Sequence, residues 1–289
     1  MSDSERSAIR HVTLATDLSA RSDRAFDRAL DLARRWKSRL LIVHAVEDRG
    51  PQSLVPSWRQ GSDPVETARR RLLTEYPGLA DVQSAIEVTV GAPRDVVLAA
   101  AGREDTDLII AGVGRENVYG RDGLGQLVPE LAKRAEAPVL VVKKRVIGAP
   151  RRVVVASDLT DASHAALELA LALFGPGRLI LFNAFDIPYR GLAGDKAELE
   201  RTLRPQVLEE CRAMLVEVVG PATASQIEII AELGAPAPAL AKLVADRDID
   251  LVVTGTYGHT GLMDALLGST AMDILVEVSC DVLVARRKT

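Results

Sequence analysis

Aromatic residues make up only 3% of this 289-residue chain, with 2 Trp, 4 Tyr and 4 Phe. Bases of single-stranded nucleic acid stack on aromatic side chains, so no such surface is expected here. An excess of positive charge is also lacking. The chain has 36 Lys and Arg against 40 Asp and Glu, a formal net charge of −4. That argues against non-specific binding to nucleic acid or to an anionic membrane. No run of about 18 uninterrupted apolar residues occurs, so no transmembrane helix is expected. The opening MSDSERSAIR has no apolar stretch, so no signal peptide is expected. Cysteine is nearly absent too. Cys211 and Cys280 lie far apart without a Cys-x-x-Cys spacing, and they read as two buried free thiols, not as a disulfide or a metal pair. These absences together predict a cytoplasmic protein in a reducing compartment.

What is present is ordinary for a globular chain: 47% hydrophobic and 26% charged residues. The length suggests two domains at roughly 150 residues each. Internal duplication supports this. HVTLATDLSARSDRAFDRALDLA, from His11, reads like RVVVASDLTDASHAALELALALF, from Arg152, pairing Asp17 with Asp158. RLLIVHAVED from Arg39 matches RLILFNAFD from Arg178. From Gly91 onward the match needs no gap: Gly91-Ala92-Pro93 pairs with Gly234-Ala235-Pro236, TDLIIAG with IDLVVTG, and APVLVV with CDVLVA. Solenoid repeats span 20–50 residues. This unit is about three times longer, so each copy is expected to hold its own core. The expected domains are 1–145 and 151–289, joined by a linker over Arg145–Pro150.

Each copy alternates strand-like and helix-like segments. In the first, strands are expected at Val12–Thr16, Leu40–Val46, Val82–Val90, Asp107–Ala111 and Val139–Lys143, with helices at Ala20–Lys37, Pro93–Arg103 and about Gln126–Glu136. The second copy repeats this order and is read as adding a long helix, about Asp195 to Val219. Gly50–Pro64 and Pro188–Gly194 read as exposed loops. Such alternation implies an α/β fold with parallel sheets and helices on both faces. Ligands then bind beyond the carboxyl ends of the strands, at the switch point.

At that place in the second copy stands GTYGHTGLMDALLGST, Gly255 to Thr270. Glycine admits a positive φ and brings backbone N–H groups close to an anion. A helix start at Ser269-Thr270 adds unpaired N–H groups and the positive end of the dipole. The same letters also permit a ligand-free reading, in which Thr270-x-x-Asp273 is a capping box and the glycines only turn the chain.

The spacing Gly255-x2-Gly258-x9-Gly268-Ser269 resembles the nucleotide motif of the universal stress protein family. The resemblance extends over His11 to Arg286. It includes the Asp-x-Ser/Thr after strand one, the apolar second strand, the Gly-Ala-Pro before helix three and the terminal PVLVV strand. It implies two tandem, doubly wound, Rossmann-like domains of the adenine-nucleotide alpha-hydrolase type, each a five-stranded parallel sheet. It also implies ATP bound at Ala156, Asp158, Ala184, Thr254, Gly255, Gly258, Gly268, Ser269 and Thr270, with Asp158 facing the adenine and ribose. Without a ligand, Asp158 would help Thr160 cap the next helix.

Two departures from the family pattern bear on this. No Lys or Arg occurs between Arg247 and Arg286, and Asp264 adds negative charge to the loop. A triphosphate would depend on N–H groups, the helix dipole and a divalent cation, expected to be Mg²⁺. In the first copy, GVGRENVYGRDGLGQ keeps Gly112 and Gly125 but has Arg115 for the middle glycine and Gln126 for the serine. Arg115 or Arg121 either fills the pocket or contacts phosphate. The favoured reading is a weakened or empty first site, although Asp17 and Ala45 remain.

Other chemistries find little support. There is no Gly-Lys dipeptide and hence no Walker A motif, and Gly-x-Gly-x-x-Gly, Gly-x-Ser-x-Gly and His-Glu-x-x-His are all absent. His259-Thr260-Gly261 begins a His-x-Gly-His signature, but Leu262 breaks it. His259 reads as a solvated loop residue, and His11, His44 and His164 have no partner at a recognisable spacing. No catalytic residue is assigned. Val139–Lys143 and Val282–Ala285 are apolar edges, and the resembled family pairs such edges. That implies an internal pseudo-dimer, with homodimerisation optional. The expected role is a cytoplasmic stress-response sensing or regulatory module with an unidentified protein partner. The alternatives are a nucleotide-free interaction protein and a slow ATP hydrolase.

Overall fold

The computed structural model describes residues 9–47, 63–103, 105–114, 124–186, 196–256 and 267–286. The chain divides into two compact units at Ile147 and Gly148.

Unit 1 runs β1 His11–Ala15, α1 Asp23–Trp36, β2 Arg39–Val46, α2 Pro64–Glu75, β3 Ser84–Val90, α3 Pro93–Arg103, β4 Leu108–Gly112, α4 Leu127–Arg134 and β5 Val139–Val142. Its strands are parallel, in the order β3-β2-β1-β4-β5. Consecutive residues of β1, β2 and β4 are buried. Because alternate side chains point to opposite faces, unbroken burial means that both faces are covered. The edge strand β3 is more exposed and carries Glu87, a charge that discourages pairing with another chain.

Unit 2 repeats the order with β6 Val153–Ser157, α5 Asp161–Phe174, β7 Leu179–Phe185, α6 Lys196–Val219, a short α7 Pro221–Ala224, β8 Glu228–Leu233, α8 Pro236–Asp246, β9 Leu251–Thr254, α9 Ser269–Glu277 and β10 Asp281–Val284. Its parallel sheet has the order β8-β7-β6-β9-β10. In each unit the strand order reverses at the first strand, so the crevice opens between β1 and β4, and between β6 and β9.

A repeated carboxylate fixes that pairing. Asp107 Oδ2 accepts the backbone N–H groups of Arg10 at 2.7 Å and His11 at 3.0 Å. Asp250 Oδ2 accepts those of Arg151 at 2.8 Å and Arg152 at 3.2 Å. One side chain thus satisfies two amides at the start of the first strand in each copy.

The long helix of unit 2 is not an addition to the repeat. Unit 1 has a shorter helix, α2, at the same place. Its start overlaps the end of the segment read as a loop, Gly50–Pro64: Asp63 accepts the Val65 N–H at 2.9 Å and Pro64 occupies the first turn. Tyr76, at its end, donates to Asp23 at 2.6 Å and stacks on Phe26 with ring centroids 3.7 Å apart. The residues read as loops, Gly50–Pro64 and Pro188–Gly194, lie almost wholly outside the described residues. Cys211 and Cys280 are buried and neither is in a disulfide, and burial pushes the Cys211 thiol up to about 11.

Candidate functional site

In unit 2, Ala156 pairs with Thr254 across the switch point, and Asp158 and Gly255 follow at the two strand ends. Ala184 lies near the end of the neighbouring β7, opposite Glu232. Ala156, Asp158, Ala184 and Gly255 are half-buried, and Thr254 is buried. The fold therefore gathers these five positions at the carboxyl end of the sheet.

Asp158 is held in a defined turn. Its Oδ1 accepts the Thr160 N–H at 3.2 Å, the Thr160 hydroxyl at 2.6 Å and the Ser163 hydroxyl at 2.5 Å. Ser163 Oγ in turn accepts the Asp158 N–H at 3.0 Å. Leu159 takes φ 63 so that this turn can close. Thr160 does not cap α5, as its hydroxyl turns back to Asp158. Asp158 does tie to the start of α5 as expected, but through Ser163 and not alongside a Thr160 cap. Among the described residues every bond to this carboxylate falls on Oδ1, which leaves Oδ2 available to a ligand.

The glycine loop divides into two cases. Gly255 packs on the first turn of α5, where a β-carbon would come within 2.7 Å of the Ala162 carbonyl oxygen. This glycine is required by close packing whether or not a ligand is present. Gly268 is different. It sits in extended conformation, φ −61 and ψ 150, as the residue before α9, and its N–H donates to the Thr256 carbonyl at 2.8 Å. Ser269 and Thr270 open the helix and are exposed. The capping box does not form, because Thr270 lies inside the helix and the capping position is a glycine with no side chain. The first-turn N–H groups of α9 therefore have no side-chain cap, and they carry the positive end of the helix dipole. Gly258, His259 and Asp264 lie outside the described residues.

Unit 1 differs at the equivalent positions. Gly125 takes a left-handed φ of 63 where Gly268 is extended, and the helix begins one residue later, with Gln126 in helical conformation before Leu127. Gly114 faces Gly125 backbone to backbone, and a β-carbon on it would meet the Gly125 Cα and N at 2.6 Å. The sequence has Tyr257 in the matching place of unit 2. Gly112 is looser than Gly255, its nearest neighbour being the Arg21 carbonyl at 3.4 Å. Asp17 is exposed and accepts the Ser19 N–H at 2.9 Å. Desolvation would raise its carboxyl, but hydrogen bonds from Ser19 and Ser22 outweigh it and hold Asp17 below its usual value. Ala45 is half-buried on β2. Arg115 and Arg121 lie outside the described residues.

Sequence reasoning missed four contributors. Ser163 locks Asp158, and Gly114 lets the stems of the first loop meet. Asn183 Nδ2 donates to the Ser157 carbonyl at 3.0 Å, and His44 does the same in unit 1, with Nδ1 2.9 Å from the Thr16 carbonyl. His44 thus has a partner, one that requires the ring proton on Nδ1. The signal was the duplication itself, which aligns His44 with Asn183 and Thr16 with Ser157.

Among the described residues no group of three or more His, Cys, Asp and Glu is placed to hold a metal ion, and no helix is long and apolar enough to cross a membrane.

The model of the universal stress protein family matches the chain twice, over residues 8–143 and 150–286. A Staphylococcus aureus (strain USA300) protein of that name is 26% identical over 141 residues, covering 46% of this chain and 84% of its own. The crystal structure of a universal stress protein from Archaeoglobus fulgidus DSM 4304 superposes with a TM-score of 0.67 at 19% identity, covering 96% of this chain and 98% of its own. A universal stress protein solved in complex with cAMP is 28% identical, covers 47% of this chain and 98% of its own, and has a TM-score of 0.37.

Proposed function

The chain belongs to the universal stress protein family, with one family domain in each half, and from that premise we propose that its second domain binds ATP and its first binds nucleotide weakly or not at all. The observation that carries this reading is the uncapped start of α9, which follows an extended Gly268 at the switch point where Asp158 stands. An anion there would accept N–H groups that no side chain of the helix satisfies. Ser269 and Thr270 would add hydroxyl donors, and Asp158 Oδ2 would accept from the ribose. Gly258 would let the loop backbone approach the phosphates. The left-handed Gly125 and the Gly114 contact support a weaker first site.

A divalent cation such as Mg²⁺ fits only as a companion of the phosphates, since the described residues offer no acidic or histidine cage. It would neutralise phosphate charge beside a loop that carries no Lys or Arg. No acid–base pair is assigned, so the domain acts by binding. Occupancy shifts the population of conformations, and so the affinity for a regulatory protein partner in the cytoplasm. Internal pairing of the two domains is part of the same proposal.

A nucleotide-free interaction protein is the second reading. The Gly255 contact with Ala162 favours it, because that contact explains the first glycine of the motif without any ligand. Heat denaturation of the purified protein, followed by chromatography of the supernatant, separates the two. Adenine nucleotide is expected at up to one equivalent, or on titration with Mg·ATP, and cAMP belongs in the same panel. Gly258→Arg, which copies Arg115, is expected to abolish binding. Absence of nucleotide together with no binding at millimolar ATP would establish the second reading, and release of ADP over time would add hydrolysis.

A further inference from the structure

At the opposite end of the unit 2 sheet, where the strands begin, four guanidinium groups surround one cavity of about 290 Å³. Arg151 and Arg152 precede β6, Arg178 precedes β7, and Arg247 follows α8, with Gln226 and Glu228 beside them. A strand of five residues at about 3.3 Å each separates this cavity from the Asp158 crevice by about 17 Å.

The arginines are held in place while keeping donors to spare. One terminal nitrogen of Arg152 donates to the Arg247 carbonyl, and one of Arg178 donates to the Pro150 carbonyl at 3.3 Å. Arg247 Nη1 donates to Glu228 at 2.6 Å. Arg151 Nε lies 3.9 Å from Asp250, whose carboxylate already accepts two backbone N–H groups. Among the described residues the remaining guanidinium nitrogens have no partner. Two carboxylates against four guanidinium groups leave a local excess of positive charge on a chain of net charge −4.

The duplication supplies an internal control. Arg151 and Arg178 match Arg10 and Arg39, but Arg152 matches His11, Glu228 matches Ala85 and Arg247 matches Glu104. The backbone anchor by Asp107 and Asp250 is common to both units, whereas the fourfold arginine cluster occurs in one. Structural support of the sheet therefore does not account for it.

We propose that this cavity binds a small, multiply charged phosphoryl anion, independently of the nucleotide crevice. Guanidinium forks match phosphate oxygens in geometry and charge. A cavity of this size suits a pyrophosphate-sized group better than the flat contact an acidic protein would need.

Calorimetric titration of the full chain with inorganic pyrophosphate tests this. One binding event is expected, weakening steeply with added salt. It should persist in Gly268→Asp and weaken at least about tenfold in Arg178→Gln/Arg247→Gln. Arg151 is 84% exposed, so Arg151→Ala is expected to leave the fold intact and to weaken binding several-fold by itself. No binding at millimolar pyrophosphate, unchanged affinity in the arginine variants, or displacement by an acidic peptide at lower concentration would each overturn the proposal.

Discussion

Gly255 lies so close to Ala162 that a β-carbon built on it would sit 2.7 Å from the Ala162 carbonyl oxygen and 2.8 Å from its carbon. The atoms in the way are backbone of α5, which cannot rotate aside. Gly255→Ala is expected to push the loop off the helix and destabilise unit 2 by about 1–3 kcal/mol. Gly112→Ala meets its nearest atoms at 3.4 Å, an ordinary contact, and should change unit 1 by less than about 1 kcal/mol. Both tryptophans, Trp36 and Trp58, belong to unit 1. Urea unfolding followed by fluorescence therefore reads unit 1, and circular dichroism reads both. Equal effects of the two substitutions would contradict this account.

That asymmetry marks where the sequence was legible. Periodicity and apolar runs located the five strands of the first copy to within a residue or two, because strands buried on both faces leave a strong pattern. The α2 helix escaped because its pattern is weak: only Ala68 and Leu72 of Pro64–Glu75 are buried. The site was readable as a set of letters, but not as geometry. Gly255 and Gly268 are the same residue in the same motif, yet one answers to packing and the other to a helix start. Thr270-x-x-Asp273 spelled a capping box, and the helix began two residues too early for it to close. Ser163 carried no signal, since a serine in the first turn of a helix is commonplace and its bond runs backwards to Asp158.

Ser163 is 3% exposed and makes two hydrogen bonds with Asp158, one as donor and one as acceptor. Ser163→Ala leaves the Asp158 N–H unpaired and is expected to cost unit 2 about 1–3 kcal/mol. It also frees the carboxylate to rotate. ATP affinity should fall with it if Asp158 holds the ribose, and a stability loss with unchanged affinity would remove Asp158 from the site.

The two thiols give a prediction about pH. Burial raises the Cys211 thiol from its ordinary value of 9.0 to about 11, with the Glu210 carboxylate adding to the effect. Well below pH 9 the thiol is mostly neutral in folded and unfolded chains alike and contributes little pH dependence. Between pH 9 and 11 the unfolded chain ionises first, so stability falls as pH rises through this window. In the native protein at pH 8, Cys211 should resist iodoacetamide for hours, and in denaturant it should react within minutes. Mass spectrometry of the labelled chain checks this, and rapid native labelling of Cys211 would show that the site opens.

The start of α9 separates a phosphate site from a bare turn. Gly268 has φ −61 and ψ 150, a conformation open to any L residue, and it occupies the capping position without a side chain. Gly268→Asp supplies that cap. Its carboxylate would accept the first-turn N–H groups and meet the positive end of the helix dipole, stabilising unit 2 by a few tenths of a kcal/mol. The same N–H groups are the ones proposed to hold phosphate, and the new charge would also repel it. Affinity for ATP should fall at least about tenfold while the thermal midpoint holds or rises. A substitution that makes the protein more stable yet less able to bind cannot be explained by misfolding. If ATP binds equally well to Gly268→Asp, the anion lies elsewhere and the α9 terminus is only the end of a helix.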